Sequence, residues 1–197
     1  MIDPGILAGF APWIVFAIAS GFIGTRLAAF IGLALALIIF LPSAFKRTFM
    51  SMDLFGVAFF VLLALSSLAL KESDLDTVRS WSGVLIYGCL AAYSWATIIR
   101  GDPFTREYAR RMVPKEYWKS SLFLDSTKSI AMGWSTAFLG AAAITLAGAL
   151  LDVGSMIVYL LGIGCMVAAI VWHTRVQAAA EAEGNRLRAV AKKDLGQ

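Results

Sequence analysis

The chain is 197 residues long, 59% hydrophobic and only 15% charged, with a formal net charge of +4. Soluble domains carry about 25% charged residues, so this composition, with a mean hydropathy of +0.77, excludes an ordinary soluble enzyme. Six apolar spans of about 20 residues would use most of the chain and leave no room for a separate soluble domain.

The first apolar segment, 6–23, is expected to span the membrane and to kink at Pro12. It lacks the basic start of a signal peptide. The short turn Gly24-Thr25-Arg26 sends span two, 27–45, back antiparallel beside it. Span three is expected over 50–70, followed by an acidic loop over 71–79 with Glu72, Asp74 and Asp76. Span four covers 80–99 and is aromatic, with Trp81, Tyr87, Tyr93 and Trp95. Trp81 and Trp95 fit an interfacial belt; a pigment or quinone pocket is the alternative. Span five is expected over 129–151, then a tight turn at Asp152-Val153-Gly154, then span six to Trp172. The Ala-rich charged tail after it can extend span six as a helix, with a break expected at Gly184-Asn185. The fold expected is therefore all-α: a six-span membrane domain over 1–176 and a cytoplasmic tail over 177–197.

Lys and Arg divide unevenly between alternate sides of these spans. One side holds two after span two, seven over 100–128 and five after span six, 14 of the 17. The other holds only Arg26, Lys71 and Arg79. Positive residues favour the cytoplasm, so both termini are expected there. The basic balance is thereby accounted for without nucleic acid as a partner.

The polar stretch 100–128 reads as an amphipathic interfacial helix over 103–112, with Asp102 as its N-cap and Pro103 at its first position. Phe104, Tyr108 and Met112 share one arc, facing lipid or the bundle. Arg106, Arg110 and Arg111 share the opposite arc, facing anionic headgroups and the cytosol. Glu107 and Arg111 have the spacing of an i,i+4 pair. Pro114 stops the helix, and Tyr117 and Trp118 suit the headgroup zone. This helix is the expected surface for anionic lipid or a membrane partner; a plain connector is the alternative.

Span five carries small residues at four-residue spacing: Gly133, Ala137, Ala141, Thr145 and Ala149. Such a stripe lets helices approach closely in lipid. It reads as intramolecular packing, with a seam between copies of the chain as the alternative. Gly5 and Gly9 add a GxxxG at the start of span one.

Chemistry-bearing clusters are sparse. There is one histidine, His173, read as capping the end of span six. One His cannot supply a bis-His haem site, and Cys89 and Cys165 do not have zinc-site spacing. No cofactor or metal is expected. Gly133-Trp134-Ser135 is half of a membrane serine protease motif, but Thr136-Ala137 follows instead of the second Gly, and nothing in the sequence brings His173 to Ser135. No charged residue falls near the centre of a span; Asp53, Lys128 and Asp152 lie near the membrane edges.

The order of landmarks resembles intracellular septation protein A and its relatives, a family of small bacterial inner-membrane proteins. They are Pro12, Thr25, Lys46, Trp81 before Tyr87, Gly101 and Pro103, Pro114 and Trp118, Trp134 and Phe138, Gly162, then Trp172 and Arg175. Ala142 and Thr145 depart from the family pattern, and the tail beyond Val176 is additional. The resemblance implies a non-enzymatic inner-membrane role in septation, envelope or membrane-lipid maintenance, exercised through membrane partners. It supplies no catalytic residues. A small transporter or channel for neutral or lipid-like cargo, and an accessory subunit of a pigment or redox complex, are the rival readings.

Overall fold

The computed structural model describes residues 4–151 and 153–194. Asp152 of the expected turn and residues 195–197 of the tail lie outside the described residues. The described residues are helical, with short connectors and no strands. The helices are α1 (Pro4–Ile23), α2 (Thr25–Phe45), α3 (Ser51–Ala69), α4 (Glu72–Ser80), α5 (Ser82–Ile99), α6 (Phe104–Met112), α7 (Ser121–Leu151) and α8 (Ser155–Asp194). A single 3₁₀ turn, Lys115–Tyr117, precedes α7. Five of them, α2, α3, α5, α7 and α8, are long and apolar enough to cross a membrane, and Ala8–Ile23 of α1 forms a shorter apolar helix.

The spans group by sequence. α1, α2 and α3 pack on one another, and α7 packs between α5 and α8. Aromatic rings join the two groups. Phe10 of α1 stacks on Trp134 of α7 at 5.3 Å, and Phe55 of α3 stacks on Tyr93 of α5 at 4.5 Å. Trp13 sits against Phe55, Phe59 and Phe60 of α3. Such pairs add about 1 kcal/mol each beyond the area they bury.

Close approach depends on small residues. A Cβ on Gly32 of α2 would stand 2.5 Å from the buried Phe60 ring, and one on Gly83 of α5 would stand 2.8 Å from Thr145 of α7. Gly133 and Gly148 of α7 leave room for Trp172 and Val158 of α8. The α1–α2 hairpin turns at Gly24, whose φ of +83° is costly for any residue with a Cβ.

Two local expectations are corrected. The expected acidic loop over 71–79 is the helix α4. Its Asp74 carboxylate accepts the Lys71 N–H at 3.3 Å, and its acidic first turn suits the positive end of a helix. Arg26 then ties this end together. It pairs with Glu72 at 2.9 Å and donates to the Ser67 and Leu70 carbonyls at the end of α3.

The second correction is the tail. α8 runs unbroken through Gly184 and Asn185. A helical Gly costs about 1 kcal/mol relative to Ala, too little to end a helix that continues beside α7, where a Cβ on Gly184 would stand 3.8 Å from Leu122. The tail thus extends the helix of span six through residue 194, without the break expected at Gly184-Asn185.

Candidate functional site

The polar side chains concentrate where α6 meets the ends of α3, α5 and α7. The amphipathic pattern makes α6 a helix, but the surface it meets is the bundle. Phe104, Thr105, Arg106 and Tyr108 are all buried. The helix starts one residue later than its expected boundary, with Pro103 in the N-cap position. Asp102 lies outside the helix, where its carboxylate receives both Arg106 at 3.2 Å and Arg110 at 3.3 Å.

The basic arc is divided. Arg106 is only 9% exposed, so it does not face headgroups as expected. It donates to the Gly101 carbonyl at 2.7 Å and to the Thr127 hydroxyl of α7 at 3.4 Å. Thr105 adds a 2.7 Å bond to the Thr127 carbonyl. Arg110 lies over the Trp118 ring at 5.6 Å, and Trp118 donates its indole N–H to the Val113 carbonyl at 2.8 Å. Arg111 is exposed and donates to the Thr48 carbonyl just before α3. On the apolar arc, Phe104 and Tyr108 enter the bundle, while Met112 is 50% exposed.

The expected Glu107–Arg111 pair does not form. Glu107 instead accepts the Ser51 backbone N–H at 2.7 Å, at the first turn of α3. The Ser51 hydroxyl meets the Tyr93 hydroxyl of α5 at 2.6 Å. Asp53, also in the first turn of α3, accepts the Met50 N–H at 3.4 Å. Burial pushes the Tyr108 phenol well above its ordinary range, with the nearby carboxylates adding to the effect. α6 therefore fastens the α1–α3 group to the α5–α7–α8 group at one end of the bundle. Ser51, Asp53, Tyr93 and Thr127 belong to this cluster. Sequence reasoning flagged Asp53 only as a membrane-edge acid and Tyr93 only as an aromatic; the pairings are between distant segments and leave no local signature.

The small-residue stripe of α7 serves two neighbours rather than one seam. Gly133 faces Trp172 of α8, Thr145 faces Gly83 of α5, Ala141 is fully buried, Ala137 is half-buried and Ala149 is exposed. The most deeply packed line runs instead through Ala131, Ser135, Phe138 and Ala141.

His173 is not at a helix end, since α8 continues to Asp194. It is 4% exposed, and its Nδ1 accepts the Trp134 indole N–H at 3.3 Å. The Ser135 hydroxyl donates to the Ala131 carbonyl at 2.7 Å, not to His173. Cys89 and Cys165 are free and half-buried. Among the described residues, no three His, Cys, Asp or Glu side chains gather as metal ligands would.

A second feature lies between the first turns of α7 and the distal half of α8. An open groove of about 590 Å³ runs there, lined by Ser121, Leu122, Asp125, Val176, Glu183 and Leu187 among others. Comparison with known proteins gives no match: no family model, curated protein or solved structure matches the chain.

Proposed function

We propose that this chain is a six-span protein of the bacterial inner membrane, with both termini cytoplasmic, that acts without catalysis as an interaction protein of the cell envelope. In this reading it is a relative of the septation protein A-like proteins, and it serves septation, envelope or membrane-lipid maintenance. The observation that carries the interaction role is the reach of the α7–α8 hairpin. α8 has 40 residues and α7 has 31. At 1.5 Å per residue they are about 60 and 46 Å long, against a hydrocarbon core of about 30 Å. In this topology their excess length extends beyond the hydrocarbon core on the basic side, with the open groove between the two helices there. That projection offers a surface to membrane partners. The packed α6 offers less of one, because Phe104, Arg106 and Tyr108 are spent on the bundle.

The test is a photocrosslinker placed at Leu187 or Asp125, followed by recovery from native membrane and identification by mass. Defined membrane-protein partners at these positions, but not at Leu65 on the lipid-facing side of α3, support the reading. Labelling of cysteines in the tail from outside the cell would overturn the topology.

A second reading, a small transporter for neutral or lipid-like cargo, is favoured by one observation. Two three-helix groups joined at one end by a short helix have the layout that alternating access uses. Movement of labelled lipid in proteoliposomes separates it from the first.

A further inference from the structure

The groove between the first turns of α7 and the distal half of α8 has a charge that its surroundings do not share. Its walls hold two carboxylates, Asp125 and Glu183, and no Lys or Arg. In the topology proposed above it nevertheless opens on the side that holds 14 of the 17 basic residues. Asp125 is exposed and, among the described residues, forms no ion pair. Glu183 meets Arg186 at 3.5 Å, but that arginine is 77% exposed, so water and salt leave the pair weak. Between the carboxylates the floor is apolar, with Leu122 of α7 and Val176 and Leu187 of α8. From Val176 to Leu187 the groove follows α8 for about 16 Å, or about three helical turns. Its lower end is continuous with an outer face of α7. Ser129 lines the groove and stands about 33 Å along α7 from Leu151, close to the ~30 Å thickness of the hydrocarbon core. Thr136 and Ala143 repeat on the same helix face below it, two turns apart, and both are exposed. Small side chains there let another helix approach closely within the bilayer.

We propose that the groove seats the cytoplasmic end of a transmembrane helix from another membrane protein, with Lys or Arg side chains of that end set against Asp125 and Glu183. This inference rests on the interaction role proposed above and names the partner chemistry of the same surface. Membrane spans carry Lys and Arg where they emerge on the cytoplasmic side, so such an end has both the height and the sign of charge that the groove needs. The span itself packs on the face of Thr136 and Ala143. Its continuation rises past Ser129 into the groove and lies on Leu122, Val176 and Leu187. Long basic side chains suit these walls, because their stems cover apolar surface while their charged ends reach the carboxylates. A second copy of this chain fits less well. A two-fold axis along the membrane normal pairs residues of equal height, which sets Asp125 and Glu183 against the same residues of the mate. Like charges facing one another oppose that contact.

The test uses the full chain in phosphatidylcholine vesicles, with a photocrosslinking residue at Leu187. The probes are three synthetic helices, each an apolar span of about 20 residues continued at one end by about three turns that carry Lys, Gln or Glu. The expected crosslinking yield is about tenfold higher for the Lys probe than for the Glu probe, the scale that two exposed ion pairs supply, with the Gln probe between them. High salt compresses that order. Asp125→Lys combined with Glu183→Lys inverts it. Both positions are open to solvent, so a thermal midpoint near wild type accompanies the inversion. Equal or absent yields for the three probes on the wild-type chain overturn the proposal, whether or not the double variant folds. So does an order that the folded double variant leaves unchanged, and so do crosslinks between copies of this chain in place of the probe. The interaction role fails separately. Partners recovered at Leu187 from native membrane, with equal probe yields, remove the charge selectivity and keep the role. A Lys preference with no native partner removes the role and keeps the selectivity.

Discussion

Glu107 of α6 accepts the backbone N–H of Ser51, 56 residues earlier in the chain, at 2.7 Å. One carboxylate thus satisfies an orphan donor at the start of α3 and places negative charge at that helix's positive end. The same Ser51 reaches Tyr93 of α5 through its hydroxyl, so three helices from both halves of the chain meet at one serine.

Removing that carboxylate loosens the attachment of α6. A hydrogen bond to a charged group is worth about 1.5–3 kcal/mol, and partial exposure reduces it. Glu107→Ala is expected to cost about 1–2 kcal/mol in thermal unfolding in detergent, and Glu107→Gln, which keeps an acceptor, about half of that. An unchanged midpoint in the Ala variant would deny Glu107 a fastening role.

Arg106 is expected to act on stability and not on lipid affinity, because its guanidinium is spent on Gly101, Asp102 and Thr127. Arg106→Gln strands the Thr127 side of the cluster and costs about 2 kcal/mol. Binding to anionic vesicles stays at the wild-type level. Weakened vesicle binding with unaltered unfolding would return Arg106 to the membrane surface.

Helix spacing gives a paired test. Gly32→Ala drives a methyl toward the buried Phe60 ring, and overpacking of this kind costs about 1–3 kcal/mol. Gly21→Ala and Gly164→Ala meet open space, so they should be neutral or slightly stabilising through helix propensity. A Gly32→Ala variant as stable as the other two would mean that the α2–α3 contact is looser than described.

Tyr108 predicts alkaline sensitivity. Its phenol is raised above the ordinary value of 10.0 by burial. In the unfolded chain it ionises near that value, while in the folded chain it stays neutral. The stabilisation is therefore complete below pH 10 and declines as pH rises beyond it. The Tyr108→Phe variant cannot ionise there, so its midpoint should fall less steeply between about pH 9 and 11. Parallel pH profiles for the two proteins would contradict the burial of this hydroxyl.

The sequence by itself determined that the chain is all-helical and apolar enough for several membrane spans. Those properties follow from composition and from helices that close their own backbone bonds, which neighbours cannot change. It also located α6 to within a residue, through Pro103, Pro114 and the arc of Phe104, Tyr108 and Met112. Only the tertiary structure decided what that helix touches. An amphipathic arc fits a lipid surface and a bundle end equally well, and the choice rests on Thr127, Ser51 and Thr48, which are remote in sequence. The same holds for Gly184, where the helix runs on beside Leu122 of α7 despite the residue's local preference to end it. It holds too for His173, which reads as a lone edge residue until α7 brings Trp134 against it. Pairings between segments carry no local signature, because each partner's residue type is compatible with many others.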